Sequence, residues 1–167
     1  QIADAALVAN PGCYPTATLL GLLPLAEFGE PLQLIVDAKS GVTGAGRTPS
    51  TDKLFAEVQN DVRAYGLAGH RHQPEIERQL GFAGIEAPLV FTPQVVPVSR
   101  GMLVDAYAVY AKAPDAGAVR AAFERAYAGN AFVHFLAEDR APSVTAVAGT
   151  NYAEVYASVH GNVVRAI

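Results

Sequence analysis

The chain has 167 residues, a formal net charge of −4 and a hydrophobic fraction of 51%. This length and composition predict one folded domain with a substantial core, and the acidic balance without a Lys/Arg cluster argues against a nucleic acid or an anionic membrane surface as partner. No apolar run approaches the ~20 residues of a membrane-spanning helix, and a single cysteine cannot form an internal disulfide. We therefore expect a cytoplasmic protein with a reduced thiol.

The one cysteine, Cys13, lies in a turn rich in Pro and Gly that leads into a leucine-rich helix predicted over residues 16–28. A thiol at the start of a helix lies near the partial positive charge of unpaired backbone N–H groups, which favours the nucleophilic thiolate. A lone cysteine is more commonly a small buried hydrophobe. Pro11, Gly12 and Pro15 restrict the backbone around Cys13. This restriction favours the interpretation of Cys13 as a nucleophile, because a buried thiol needs no such backbone path.

A strand is predicted over residues 32–38, and a loop of small residues, 39–50, follows it. Glycines in this loop would let backbone N–H groups approach an anion. Their spacing matches neither the dinucleotide fingerprint nor the P-loop, so spacing alone favours a surface turn, with a contact to a cofactor bound mainly elsewhere as the alternative. Apolar residues at helical spacing then predict a helix over 52–62.

A loop bounded by glycine and proline carries two of the four histidines, His70 and His72, ahead of a helix predicted to start at Pro74. A histidine near Cys13 would accept the thiol proton, stabilise the thiolate and later return a proton to a developing alkoxide. A metal site formed by these imidazoles and Glu75 is less favoured, because no thiolate or second acidic motif accompanies them. A surface loop with a helix cap is the structural alternative.

Two arginines, Arg47 and Arg100, each lie in a loop of small residues. A guanidinium group in such a loop suits bidentate capture of a carboxylate or a phosphate. Either arginine taken alone is more commonly a solvated side chain paired with a surface acid.

The second half of the chain is rich in strands. We predict short strand pieces within 89–98, a longer strand over 101–111, an amphipathic helix over 119–127 and a terminal hairpin around Gly161. The chain begins without Met and ends in what reads as an unfinished strand, so we expect one domain, residues 1–167, of a longer protein. The predicted fold class is α+β, with helices on one face of a mixed or largely antiparallel sheet.

Four segments, found in the same order in the first two-thirds of the chain, resemble N-acetyl-γ-glutamyl-phosphate reductase, the NADPH-dependent enzyme of arginine biosynthesis. These segments are 10–16, 40–47, 70–76 and 91–101. The resemblance implies a catalytic and dimerisation domain of the type found at the C-terminus of glyceraldehyde-3-phosphate dehydrogenase. It further implies a homo-oligomer, and a preceding Rossmann domain, absent from this chain, that binds most of the NADP. The chain alone is then expected to have little or no reductase activity.

The resemblance also implies roles for individual residues. Cys13 would attack the γ-acyl phosphate, expel phosphate and form a thioester that NADPH reduces to the semialdehyde, and His70 or His72, weighted equally, would be the acid/base. The implied substrate contacts are Arg47, Arg100 and Glu75, and the implied contacts to the nicotinamide end of NADP are Ser40, Gly41, Gly44 and Ala45. No metal is expected.

Three alternatives remain open from the sequence. Thr43 stands where many members of the family have Ser, so the substrate could be the amino-adipyl phosphate of lysine biosynthesis, one carbon longer. A purely structural dimerisation module would keep Cys13 buried. A cysteine hydrolase would need a third orienting residue that the sequence does not reveal. The preference for NADP over NAD is also open.

Overall fold

The computed structural model describes residues 3–46, 48–136 and 140–167. The α-helices are α1 (Cys13–Leu22), α2 (Phe55–Val58), α3 (Gln73–Phe82) and α4 (Ala116–Tyr127). The strands are β1 (Gln33–Ser40), β2 (Arg63–Ala64), β3 (Leu89–Val95), β4 (Met102–Val109), β5 (Val133–Phe135), β6 (Ala153–Val155), β7 (Ala157–His160) and β8 (Val163–Ala166). Short 3₁₀ segments occur at Leu23–Phe28, Val42–Ala45 and Thr51–Lys53.

The main sheet has six strands in the order β2-β3-β1-β4-β8-β7. Strands β1 and β3 run parallel, whereas the other neighbouring strands are antiparallel. Strands β5 and β6 form a separate parallel pair. The predicted α+β class with a mixed sheet is therefore confirmed, and so is the terminal hairpin, in which β7 and β8 flank Gly161.

The core lies between one face of the main sheet and three of the helices. Burial alternates along β4, so that one side of the strand is packed and the other is only partly covered. Helix α1 lies very close to the sheet at Gly21, where an added Cβ would be 3.3 Å from the Cβ of Ala166. The largest core side chains from the helices and sheet include Tyr14, Leu22, Leu34, Val36, Ile76, Val119, Phe123 and Val164.

The opposite face of the sheet is open over its central strands in the described part of the chain. Val90, Ile35 and Tyr107 occupy one row across β3, β1 and β4, and Ile35 and Val90 are 40% and 52% exposed. One row further along, the ammonium group of Lys39 lies 2.9 Å from carboxylate oxygens of both Asp37 and Asp105. This open face combines an apolar row with a charged cluster.

Two predicted helices differ from the observed ones. The helix predicted over 16–28 begins at Cys13 and becomes a 3₁₀ segment at Leu23, just before Pro24. The helix predicted over 52–62 is wrong, because only a 3₁₀ turn and the four residues of α2 are helical there. Phe55 is 80% exposed, and a short amphipathic helix depends on packing of its apolar face.

Within the described ranges, every helix is too short or too polar to span a lipid bilayer.

Candidate functional site

Cys13 is the first residue of α1, and its side chain is exposed. The first N–H groups of a helix have no acceptor within the helix, and no side chain caps this end of α1. The thiol therefore lies at the positive end of the helix, open to solvent. The alternative of a buried cysteine is wrong, because it requires an inaccessible sulfur.

The turn before Cys13 is tied to helix α3. The backbone N–H of Gly12 donates a hydrogen bond to Oε1 of Glu75, with a distance of 3.0 Å. The N–H and hydroxyl groups of Thr16 both donate to the carbonyl oxygen of Gly12. Glu75, expected from the resemblance to contact substrate, thus uses one carboxylate oxygen to position the backbone beside Cys13.

The imidazole of His72 packs directly on Gly12. A Cβ added to Gly12 would overlap Nε2 of His72 and would lie 2.7 Å from its Cδ2. The side chain is nearly buried, with 9% exposure, and its Nδ1 has no hydrogen-bond partner among the described residues. The ring is therefore held against the residue that precedes Cys13, and this contact requires glycine.

His70 lies in a cluster of aromatic rings next to His72. Its ring centroid is 4.8 Å from that of His72, and it makes edge-to-face contacts with Tyr14, Tyr65 and Phe91. Nδ1 of His70 accepts a hydrogen bond of 3.2 Å from the backbone N–H of His72. This bond fixes the neutral tautomer of His70 with its proton on Nε2.

Both histidines are held in the neutral form. Burial lowers the pKa of His72, and the charge of Arg71 lowers it further, while Glu75 opposes the change. Burial also lowers the pKa of His70, with His72 and Arg71 acting in the same direction. At neutral pH both imidazoles are therefore unprotonated at one nitrogen and able to accept a proton.

Two cavities meet at Cys13. The first, of about 520 Å³, contains His70 and His72 in its wall together with three cationic side chains, and we call it the basic cavity. The second, of about 480 Å³, is lined mainly by apolar side chains of α1, β4 and residues 142–155, and we call it the apolar cavity. Of the residues expected to contact the cofactor, Ser40, Gly41 and Gly44 line both cavities and Ala45 lines the basic one.

The glycine-containing loop after β1 is held by backbone hydrogen bonds. The N–H groups of Gly41, Val42 and Thr43 donate to the carbonyl oxygens of Gly101, Val98 and Ser99, respectively, over 2.9 to 3.1 Å. A Cβ on Gly41 would lie 2.8 Å from the carbonyl oxygen of Val98. Glycine at this position therefore allows the loop beside Cys13 to pack closely against the backbone of residues 98–100.

Neither of the two arginines predicted as anion ligands is among the described residues that line a cavity beside Cys13. Arg47 lies outside the described residues. Arg100 is exposed, its backbone packs against Gly41, and it is not part of the lining of either cavity. Arg71, which sequence reasoning missed, lies in the wall of the basic cavity. Its position between the two histidines was the sequence feature that could have indicated a place in the site. Among the described residues, no group of three or more His, Cys, Asp or Glu side chains could hold a metal ion.

Residues 13–167 match the family model described as semialdehyde dehydrogenase, dimerisation domain. The chain belongs to this family. Among its curated relatives, N-acetyl-γ-glutamyl-phosphate reductase from Moorella thermoacetica is 46% identical over 153 residues. The matched region covers 90% of this chain and 44% of the relative. The enzyme of the same name from Campylobacter jejuni is 42% identical over 172 residues, covering 100% of this chain and 50% of the relative. The chain thus spans about half the length of these relatives, and the resemblance seen in its four segments is confirmed.

Solved structures of semialdehyde dehydrogenases have the same fold. A probable aspartate-semialdehyde dehydrogenase from Pseudomonas aeruginosa superposes with a TM-score of 0.73 at 19% identity, covering 99% of this chain and 58% of that one. Aspartate semialdehyde dehydrogenase II from Vibrio cholerae gives a TM-score of 0.71 at 15% identity, covering 95% of this chain and 55% of that one. At these identities the likeness establishes the fold of this family member.

Proposed function

We propose that this chain is the catalytic and dimerisation domain of an N-acetyl-γ-glutamyl-phosphate reductase and acts with a nicotinamide-binding domain outside residues 1–167. The observation that carries this proposal is the exposed Cys13 at the start of α1, in the wall of a cavity that also contains His70 and His72. The names of the relatives support the substrate, N-acetyl-γ-glutamyl phosphate, and a place in arginine biosynthesis.

Cys13 forms a thioester with the substrate. Its thiolate attacks the γ-acyl carbon, a carbon–sulfur bond forms, and the bond from that carbon to the phosphate oxygen breaks with the electron pair leaving on phosphate. The positive end of α1 stabilises the attacking sulfur. This covalent step replaces one difficult reduction by two easier steps.

Of the two histidines, we assign the acid/base role to His72. Its ring packs on Gly12, next to Cys13, whereas Nδ1 of His70 is engaged by the backbone of His72. Nε2 is the ring nitrogen that packs on Gly12, so His72 accepts a proton there from the neutral tautomer that carries its proton on Nδ1, and the lowered pKa keeps Nε2 free at neutral pH. His72 therefore accepts the thiol proton only transiently and returns it to the oxygen that becomes anionic during reduction. His70 positions His72.

The nicotinamide end of the cofactor would be held by Ser40, Gly41 and Gly44, which line both cavities beside Cys13. When bound, NADPH supplies the hydride that reduces the thioester to the aldehyde level. The loop that carries these residues is held in place by its backbone hydrogen bonds to residues 98–101.

The proposed function is tested by assaying the full-length protein with acyl phosphates of two chain lengths. We expect reduction of N-acetyl-γ-glutamyl phosphate with NADPH, little reduction of the amino-adipyl compound, and no turnover by residues 1–167 alone. Preference for the longer substrate would assign the chain to lysine biosynthesis. Ester or amide hydrolysis without any nicotinamide would instead indicate a cysteine hydrolase.

We predict that His72→Asn lowers kcat in the full-length protein by about 10²- to 10⁴-fold, the usual contribution of a positioned acid/base, and that His70→Asn has a smaller effect. Because the pKa of His72 is lowered, its imidazole stays neutral through pH 7. Activity of the wild type should fall only as the pH drops below the ordinary histidine value of about 6.5, where His72 becomes protonated. A pH profile of kcat/KM for both variants measures this, and an equal loss in the two variants would contradict the assignment.

We also propose that the open face of the main sheet pairs with a second copy of the chain. The family is described as a dimerisation domain, and the row of Val90, Ile35 and Tyr107 leaves partly exposed apolar side chains at the centre of this face. Covering such a patch is favourable because it removes apolar area from water.

Replacing Ile35 with Asp should weaken this association at least tenfold, because an unpaired carboxylate would be buried at the centre of the interface. The matched control is Phe82→Asp, which adds the same charge at a 73% exposed position of α3, on the covered side of the sheet. Sedimentation velocity on the full-length protein measures the effect. Equal dissociation in both variants, or in neither, would exclude this face as the interface.

A further inference from the structure

The basic cavity has an excess of positive charge beside the nucleophile. Its described lining contains the cationic side chains of Lys53, Arg63 and Arg71, whereas Asp52 is its only carboxylate. Cys13 and both histidines lie in the same wall. Such a concave site with surplus positive charge attracts an anion.

Two of the three cations are already engaged within the protein. The ammonium group of Lys53 donates hydrogen bonds to the carbonyl oxygens of Ala45 and Thr48, at 3.0 and 3.4 Å. The guanidinium of Arg63 lies 3.3 Å from a carboxylate oxygen of Asp61 and donates to the carbonyl oxygen of Asp52. These two side chains thus already take part in holding the wall of the cavity together.

Arg71 differs from both of these cations. Its guanidinium makes no ion pair or hydrogen bond with any described residue, although its charge acts on both histidines. The turn that carries it is fixed by two hydrogen bonds, from the N–H of His72 to Nδ1 of His70 and from the N–H of Gln73 to the carbonyl oxygen of His70. The backbone of Arg71 is thus fixed, and its exposed guanidinium, which has no acceptor among the described residues, is available to a ligand's oxygens.

Building on the proposed function, we infer that Arg71 binds the phosphoryl group of the acyl phosphate and the phosphate that leaves. The phosphate is bonded through one oxygen to the carbon that Cys13 attacks, so it must lie within the same wall as the thiol. The α-carboxylate of the substrate is several bonds further away. A guanidinium can form two parallel hydrogen bonds to phosphate and stabilise the charge that develops as the carbon–oxygen bond breaks.

Kinetics of the reverse reaction can distinguish whether Arg71 binds phosphate or the carboxylate of the substrate. In that direction the full-length enzyme oxidises the semialdehyde with NADP, and inorganic phosphate attacks the thioester. We expect Arg71→Gln to raise the KM for phosphate about 10- to 100-fold, as expected for loss of charge-assisted hydrogen bonds, and to leave the KM for the semialdehyde unchanged. Arg71→Lys should recover part of the loss. Arg78→Gln is the control, because Arg78 lies on α3 over the ring of Phe82 and does not line the basic cavity.

A second readout requires no turnover. Inorganic phosphate should slow alkylation of Cys13 by iodoacetamide in the wild type and in Arg78→Gln, and it should not do so in Arg71→Gln. An unchanged phosphate KM and unchanged protection in Arg71→Gln would overturn this role while leaving the reductase proposal intact. A rise in the KM for the semialdehyde alone would also overturn it, by assigning Arg71 to the carboxylate. Failure of the wild type to reduce the acyl phosphate would instead contradict the proposed function.

Discussion

Replacing Cys13 with Ser should lower acyl-phosphate reduction by the full-length protein by about three orders of magnitude or more. A serine hydroxyl at the first position of α1 preserves the shape of the turn but is not ionised there, so no thioester forms. The rate is followed as consumption of the reduced nicotinamide. A mass increase equal to the acyl group on the proteolytic peptide that contains Cys13, seen in the wild type and absent from the variant, locates the intermediate.

As a control, the oligomeric state and the thermal unfolding temperature of Cys13→Ser are measured. Both should match those of the wild type, because the side chain of Cys13 is exposed. A variant that folds and assembles normally but retains turnover within tenfold of the wild type would remove Cys13 from the mechanism. In that outcome the structural role of the domain would be the better interpretation.

Replacing Gly12 with Ala should destabilise the protein by about 1–3 kcal/mol and lower activity by about 10²-fold. The backbone of Gly12, with φ −67° and ψ 159°, is one that alanine readily adopts, so no strain arises from the substitution itself. The added methyl group overlaps the ring of His72 and would force it away from Cys13. Chemical denaturation and steady-state kinetics measure the two effects.

The matched control for Gly12→Ala is Gly81→Ala in α3, where an added Cβ meets nothing within 4 Å and should leave activity unchanged. A double variant that combines Gly12→Ala with His72→Ala removes the overlap. Its loss of stability should be smaller than the sum of the two single losses, because the methyl group then has space. Additive losses would show that Gly12 acts independently of His72.

The local structure around Cys13 could be predicted from the sequence, because it depends on neighbouring residues. Pro11, Gly12 and Pro15 placed Cys13 at a helix start, although the helix begins at Cys13 itself rather than at Thr16. Proline within the first turn of a helix loses no hydrogen bond, so Pro15 does not delay the start. The terminal hairpin was predictable for the same local reason.

Features that depend on long-range contacts could not be predicted. The hydrogen bond from Gly12 to Glu75 joins residues 63 positions apart, and the packing of His72 on Gly12 is likewise a long-range contact. Likewise, the sequence favoured Arg100 as an anion ligand and missed Arg71, and only the fold shows that Arg71 lines the basic cavity whereas Arg100 does not. The helix predicted over 52–62 failed because its apolar spacing is not matched by a surface to pack against.

The loop at residues 41–43 influences how tightly a ligand binds beside it. A glycine-containing loop is usually taken to be flexible, and a flexible loop loses conformational entropy each time a ligand orders it. Here three consecutive N–H groups are already bonded to the segment 98–101. The loop is therefore preorganised: the entropic penalty is incurred when the domain folds, and the cofactor proposed to dock beside Cys13 would keep more of its contact free energy as net affinity.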